Sequence, residues 1–256
     1  MGIADVLNSP NLLIWQGFLV FVRLSALTFF LPGFGEAYVP TRIKLMLAIS
    51  LTLLVFPIIA QDLPLAGSTT MRGRLIITEA AIGVFWGVII RLTIFCLQMA
   101  GAMMSQAMSL AQIFGGSANM DAQPAMGHVL VISGIALFTM LGLHLTFLTF
   151  IINSYALSPA GSIPTGHAIT LHSSALITRT FALAFQLAAA ALTAAFLYNI
   201  VLGVINKAMP QLLVSFVGAP AITAGGLLIL YIMAPTILEI WLEFVEMIIS
   251  DPGVAQ

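Results

Sequence analysis

The residue types that most often do chemistry are sparse in this chain and form no catalytic pattern. His128 and His144 lie sixteen positions apart, His167 and His172 flank a glycine- and proline-containing connection, and Cys96 is the single cysteine. A helical metalloprotease site would place two histidines four residues apart around a glutamate, and no such arrangement occurs. Nucleophile-elbow, phosphate-loop and dinucleotide motifs are also absent from the sequence. We therefore expect no metal, no cofactor and no enzymatic activity.

Four charged side chains lie inside strongly apolar stretches: Arg23, Glu79, Arg91 and Arg179. A charge at the bilayer centre costs about 2.5–3.5 kcal/mol on insertion scales, so we expect each to face a protein interior, a wet cavity or an interface. Snorkelling to the lipid headgroups is the alternative for Arg179, which lies near the start of its apolar block. Arg23 has less room to snorkel, and we predict a structural or intersubunit partner for it.

Three carboxylates share one stripe of the last apolar block. Glu239, Glu243 and Glu246 are spaced four and three residues apart, which a helix places on one side, opposite Ile237 and Ile240. Like charges at this spacing cost about 0.2–0.5 kcal/mol per pair unless water, cations or basic groups screen them. This acidic helix face is either a solvated helix end, a contact for a basic partner, or the rim of a conduit.

Methionines are concentrated before the segment that joins the third and fourth apolar blocks. Met99 with Met103, and Met104 with Met108, are pairs four residues apart. Such unbranched, polarizable side chains on a shared helical face repack readily around irregular partners. The four residues are candidates for a gasket around a passing polypeptide, with ordinary core filling as the alternative.

Residues 112–127 form a sixteen-residue stretch of small, polar and flexible character between two long apolar blocks. Loops of this length are uncommon inside compact proteins and often act as lids or binding segments. We predict either a closing loop or a surface loop outside the bilayer.

The composition places the chain in or against a membrane. Hydrophobic residues make up 61% and charged residues 7% of the 256 residues, and the mean hydropathy is +1.12. Soluble proteins average about 45–50% apolar and about 25% charged residues. A net charge of −1 supplies no basic field for a polyphosphate backbone, so we expect no nucleic-acid partner. The N-terminus lacks the basic start of a secretory signal peptide, so the first apolar segment is expected to be retained.

Six apolar blocks are long enough for helices, and several are longer than a bilayer requires. A hydrocarbon core about 30 Å thick needs about 20 helical residues, and tilt absorbs only part of the excess. We predict an all-α, membrane-associated fold of helical hairpins with long, bent or broken helices, in one domain over residues 1–256. The blocks are Leu12–Leu31, Ile43–Ala60, Leu75–Ala111, His128–Leu157, Ala175–Asn206 and Leu212–Ile249.

Helix-bending residues inside these blocks are candidates for the breaks. They are Gly83, Gly87, Gly101, Pro220, Gly225, Gly226 and Pro235.

Several stretches, taken in order, resemble the FliR family of flagellar type III export-gate proteins. Phe21-Val22-Arg23-Leu24 precedes the turn Leu31-Pro32-Gly33-Phe34-Gly35 and then Val39-Pro40-Thr41-Arg42-Ile43-Lys44. A glycine- and methionine-bearing loop and a long helix with His144 follow. The polar interruption Asn206-Lys207-Ala208-Met209-Pro210-Gln211 comes last and is similar to the Ala-Pro-Gln region of the family. Leu213 and Ser215 depart from the family pattern after that pair.

The resemblance implies a non-enzymatic subunit with a FliP/FliQ-like export-gate architecture. Its implied partners are FliP, FliQ and the FlhB- and FlhA-like components, with membrane lipid around it and unfolded flagellar subunits as substrates in transit. The implied location is the flagellar basal body in the bacterial inner membrane.

The same resemblance implies roles for particular residues. In similar proteins the loop that matches residues 112–127 closes the channel, which assigns that role to Phe114, Gly115, Gly116, Asn119, Met120 and Met126. The family motifs imply packing or interface roles for Arg23, Pro40, Pro210 and Gln211.

Two alternative functions stay open. A virulence injectisome contains an export-gate subunit of the same family, known as SctT. A secondary transporter or small-molecule channel would instead carry a polar site at midplane between interrupted helices.

Overall fold

The computed structural model describes residues 10–36, 38–64, 68–108, 125–162, 166–209 and 214–250. Regular structure in these ranges is helical, which confirms the all-α prediction. The elements are α1 (Pro10–Thr28), α2 (Thr41–Ile59), a short 3-10 helix (Ala60–Asp62), α3 (Thr69–Ala107), α4 (Ala125–Met140), α5 (Leu143–Leu157), α6 (Gly166–Ala208) and α7 (Val214–Ser250).

Five of these helices are long and apolar enough to cross a membrane, and this agrees with the composition. They lie in α1, α2, α3, α6 and α7. The shorter helices α4 and α5 together make a sixth candidate if they act as one broken span. The chain is therefore a helical protein embedded in a membrane.

The longest helices exceed the thickness of a bilayer, as predicted. At about 1.5 Å per residue, the 39 residues of α3 extend about 59 Å, and the 43 residues of α6 extend about 65 Å. The glycines suggested as bends do not interrupt α3. Two of them, Gly83 and Gly87, instead allow other parts of the chain to pack closely against this helix. A Cβ at Gly83 would meet the carbonyl oxygen of Arg23, and one at Gly87 would meet the ring of Phe30. Pro220 and Pro235 likewise lie inside α7 without ending it.

The break that the structure does contain falls where no break was predicted. The apolar block His128–Leu157 is two helices, with Leu141 and Gly142 between them. Gly142 has φ 71° and ψ 17°, a left-handed conformation that cannot continue a right-handed helix. Glycine adopts this conformation without the Cβ clash that other residues would suffer.

The chain divides into two compact units, and three helices contribute residues to both. The first unit comprises Met1–Leu92, Leu141–Leu176 and Val245–Gln256, and the second comprises Thr93–Met140 and Ile177–Phe244. In the first unit α1 packs along α2, and Leu19, Val20, Leu24 and Leu27 are fully buried.

The core of the second unit forms around Trp241, whose side chain is fully buried. Its indole Nε1 donates a hydrogen bond of 2.8 Å to the carbonyl oxygen of Thr93. A Cβ at Gly134 would meet Leu97 and the Trp241 ring, so the absence of a side chain there lets the indole approach α4.

Candidate functional site

The second unit buries three methionines, and a glycine leaves room for one of them. Met104, Met108 and Met126 are each 1% exposed. A Cβ added at Gly226 on α7 would collide with the Met108 sulfur. The glycine therefore provides the space into which this flexible side chain fits, and α3 and α7 approach closely there.

The two helices that flank residues 109–124 are held together at their ends. A Cβ at Gly101 on α3 would overlap the backbone of Gly127 on α4, so the two helix backbones are in direct contact. The backbone N–H of Met126 also donates to the Ser105 hydroxyl at 3.3 Å. The predicted loop is thus bounded by a tightly packed pair of helices.

The predicted loop residues Phe114, Gly115, Gly116, Asn119 and Met120 lie outside the described residues, whereas Met126 lies within them and is buried.

The four predicted gasket methionines differ in their surroundings. Met104 and Met108 lie in the core of the second unit, whereas Met99 and Met103 are half-buried. The i, i+4 spacing places the members of each pair on one face, and the two faces have different burial. Only Met99 and Met103 present surface in the isolated chain.

In the first unit, Arg23 is fully buried and has partners within the chain. Its Nη2 donates to the carbonyl oxygens of Ser158 at 2.8 Å and Ser154 at 3.3 Å, in the last turn of α5. Its Nη1 lies 3.7 Å from Oε2 of Glu79, and its guanidinium carbon lies 3.9 Å above the centre of the Tyr155 ring. The Ser154 carbonyl also accepts from the Ser158 backbone N–H at 2.9 Å, so Arg23 is its second donor. A cation is favoured here by the partial negative charge at a helix C-terminus.

Glu79 completes this cluster and joins it to the turn that follows α5. Its side chain is 1% exposed, and its Oε1 accepts a 2.8 Å hydrogen bond from the backbone N–H of Gly161. Glu79 on α3 and Arg23 on α1 therefore connect two helices to the C-terminus of a third. The cluster is buried and joins these three helices, which gives it a role in packing.

A second ion pair lies nearer the surface of the first unit. The Arg91 guanidinium donates to both carboxylate oxygens of Glu36, at 2.5 Å and 3.2 Å. The ammonium of Lys44 donates to the carbonyl oxygen of Gly35 at 2.9 Å. These contacts fix the turn between α1 and α2, where Pro40 is exposed and directly precedes α2.

The remaining predicted residues lie on α7 or at its start. Glu239, Glu243 and Glu246 are all exposed, as an acidic helix face requires, while Pro210 and Gln211 lie outside the described residues. Within the described part of the chain, no group of three or more histidine, cysteine, aspartate or glutamate residues is placed to hold a metal ion.

Sequence reasoning missed the Glu36–Arg91 pair and the role of Gly161. Glu36 and Arg91 are 55 positions apart in sequence, and Glu79 and Gly161 are 82 positions apart, so no local spacing indicates either contact. The scarcity of charge inside apolar blocks indicates Arg23 and Glu79 as partners, but it does not indicate Glu36, which lies between two blocks.

Comparison with known proteins identifies relatives over almost the whole chain. The family described as bacterial export proteins, family 1, matches residues 14–248. The flagellar biosynthetic protein FliR of Caulobacter vibrioides is 27% identical over 228 residues, which cover 88% of this chain and 90% of the relative.

Two further relatives carry the same name. FliR of Pectobacterium carotovorum is 29% identical over 241 residues, covering 90% of this chain and 89% of the relative. FliR of Escherichia coli K12 is 25% identical over 235 residues, covering 89% and 85%. With a family match that extends through every helix described above, the chain belongs to family 1 of the bacterial export proteins.

Proposed function

We propose that the chain is a non-enzymatic core subunit of the flagellar protein export gate. In this proposal it forms, with FliP and FliQ, a channel through which unfolded flagellar subunits cross the bacterial inner membrane at the basal body, beside FlhB- and FlhA-like components. The family match over residues 14–248 carries the proposal. The relatives compared above are all flagellar by name, which favours the flagellum over an injectisome.

The exposed apolar surface of α6 and α7 supports a role inside a larger assembly. Only 17% of the apolar window of α6 and 22% of that of α7 is buried within the chain, against 56% for α3. Phe181, Phe185, Phe196 and Tyr231 are each more than half exposed. Aromatic faces of this size require lipid or partner helices, and helices longer than a bilayer favour partner helices along part of their length.

The helices that precede and follow residues 109–124, α3 and α4, support the proposed closing loop. Direct backbone contact at Gly101 and Gly127 and the Ser105–Met126 hydrogen bond give the loop a rigid base. Phe114, Gly115, Gly116, Asn119 and Met120 then act as the closing segment, with Met126 anchored in the base. Met99, Met103, Met104 and Met108 supply a deformable wall beneath it.

Deletion of residues 115–123 tests the closing role. The variant chain, expressed in place of the wild-type one, is expected to increase leakage of a small dye across the inner membrane. A matched control is Gly203→Ala, which alters an open helical position far from the loop in sequence. If the deletion variant enters the membrane at wild-type levels and leakage stays unchanged, the assignment of the closing loop is wrong.

Secretion measured in the source bacterium tests the export function itself. Removal of the gene is expected to abolish release of flagellar rod, hook and filament subunits, and the wild-type gene restores it. Loss of virulence-type effectors with normal flagella would favour the injectisome alternative. Solute transport by the purified chain alone would favour the transporter alternative.

A further inference from the structure

The hairpin of α6 and α7 carries long stretches without a single charge. Residues 180–206 of α6 and residues 214–238 of α7 contain no aspartate, glutamate, lysine or arginine. At about 1.5 Å per residue, these stretches extend about 40 Å and about 38 Å. The hydrocarbon core is about 30 Å thick, and the bilayer with its headgroup regions is about 40–45 Å thick. Charges that begin at the ends of such stretches therefore lie at the depth of the headgroups.

One charged residue from each helix lines the same cleft. The two helices are antiparallel neighbours, since the Tyr198 hydroxyl donates to the carbonyl oxygen of Gly218 at 2.6 Å. Further from the connection, Arg179 lies nineteen residues before Tyr198 and Glu243 lies twenty-five residues after Gly218, and the two side chains line one cleft. One cation and one anion thus line a single cleft of the hairpin.

The cleft has the size and lining of a site for a small headgroup. Its volume is about 290 Å³, close to the lower limit of about 300 Å³ for small-molecule sites. Arg179, Gln186 and Glu243 provide polar groups, and Leu183, Ile240 and Phe244 provide apolar walls. The three polar side chains are exposed, and within the described ranges no ion pair or hydrogen bond joins Arg179 or Glu243 to another protein group.

We propose that this cleft binds the headgroup of a zwitterionic aminophospholipid, of the phosphatidylethanolamine class. The Arg179 guanidinium binds the phosphate diester, and the Glu243 carboxylate binds the primary ammonium. The Leu183, Ile240 and Phe244 side chains contact the start of the acyl chains. Glu239 and Glu246 lie on the same helical stripe as Glu243, so the site repels a lipid with net negative charge and accepts a neutral one.

Native mass spectrometry of the full chain, purified in detergent and stripped of lipid, tests this site. Phosphatidylethanolamine, phosphatidylglycerol and phosphatidylcholine with identical acyl chains are added separately, and the fraction of protein with one bound lipid is measured. Phosphatidylethanolamine is expected to bind at least tenfold more tightly than phosphatidylglycerol. Arg179→Gln and Glu243→Gln are each expected to weaken phosphatidylethanolamine binding about tenfold or more, because each loses a charge-assisted hydrogen bond. The matched control Lys207→Gln removes a cation at the other end of α6 and should leave binding unchanged.

Glu243→Gln distinguishes recognition of the ammonium from recognition of the phosphate. It should weaken phosphatidylethanolamine binding more than phosphatidylcholine binding, because methylation of the ammonium removes the hydrogen-bond donors that the carboxylate uses. The exchange variant Arg179→Glu/Glu243→Arg keeps the net charge of the cleft and both apolar walls. It should fold but lose the lipid preference, and its circular dichroism spectrum reports whether it folds.

Three results overturn the proposal. The first is equal binding of the three lipids by the wild-type chain. The second is retention of the lipid preference in the exchange variant. The third is occupation of the cleft by a partner helix, seen as loss of a co-purified subunit from Arg179→Gln without any change in bound lipid.

Discussion

The long helices of the two units are held together by different kinds of buried side chain. Among the described residues, the buried charged side chains, Arg23, Lys44 and Glu79, all lie in the first unit. The buried methionines, Met104, Met108 and Met126, all lie in the second. The first unit is therefore joined by directional contacts with specific partners, whereas the second is filled by side chains that tolerate rearrangement.

This difference matters for an export protein. A unit with a buried ion pair has a single arrangement in which its charges are satisfied, and displacement of one partner is costly. A unit packed with methionine against glycine changes shape at lower cost, because the thioether rotates into new positions. We infer that the first unit is the fixed part and that movement in the second unit occurs around its buried methionines, while the Gly101–Gly127 contact stays the rigid base of the proposed closing loop.

The largest effect is expected for Arg23→Met, which removes the charge and keeps much of the volume. Glu79 would remain buried without its counter-charge, the Ser158 carbonyl would lose its Arg23 donor, and the Ser154 carbonyl would keep only the Ser158 N–H. We expect a loss of about 3–5 kcal/mol in the free energy of unfolding. The measurement is SDS titration in detergent micelles, followed by circular dichroism.

The double variant Arg23→Met/Glu79→Gln is the control for this prediction. The substituted side-chain amide still offers an oxygen to the Gly161 N–H, and no uncompensated charge remains. We expect the double variant to recover at least half of the lost stability, because neutral replacement of a buried pair is far less costly than removal of one partner. Purely additive effects of Arg23→Met and Glu79→Gln, each also measured alone, would show that the two side chains are not coupled. The first unit would then not be distinguished from the second by a buried ion pair.

Two glycine substitutions test how rigidly the second unit is packed. Gly101→Ala places a methyl group against the backbone of Gly127, which has no rotamer to change, so we expect a cost of about 1–3 kcal/mol. Gly226→Ala meets the flexible end of Met108 and should cost less than about 1 kcal/mol. Both are measured by the same SDS titration.

Gly203→Ala is the matched control, since no atom lies within 4 Å of its added methyl group. It should be neutral or stabilising by up to about 1 kcal/mol, because alanine is the better helix former. Equal losses for Gly101→Ala and Gly226→Ala would indicate that the methionine site is as rigid as a backbone contact.

The smallest effect is expected for Arg91→Gln, at the partly exposed ion pair with Glu36. The side chains are 19% and 14% exposed, so solvent weakens the interaction and we expect a loss of about 1 kcal/mol. In 1 M NaCl the difference between wild type and variant should shrink, because salt screens the pair. The loss caused by Arg23→Met should not depend on salt, and the same dependence in both variants would contradict the assignment of Arg23 to a closed interior.

Much of the helical architecture is predictable from the sequence because it follows from composition alone. Blocks of uncharged apolar residues longer than a bilayer require long helices, and α3, α6 and α7 are such helices. Helix ends were less predictable: α6 begins at Gly166, nine residues before the predicted block. The break at Gly142 was missed because a lone glycine in an apolar run looks the same whether it packs a helix or ends one.

The site was predictable only in part. The spacing of Glu239, Glu243 and Glu246 predicts one acidic helix face, and the three side chains are exposed on α7. The partners of Arg23 were not predictable, since Ser154 and Ser158 contribute backbone carbonyls that no side-chain pattern marks. The separation of the methionines into a buried pair and a half-buried pair also depends on tertiary packing, which periodicity does not specify.

In our proposal, the exposed apolar faces of α6 and α7 are covered by other subunits of an export gate. Its most direct test is affinity purification of the chain, tagged and expressed at its native level, with quantitative mass spectrometry of the co-purified proteins. We expect FliP and FliQ to be recovered in a fixed ratio to the chain. A folded, monodisperse chain recovered with neither protein would contradict the claim.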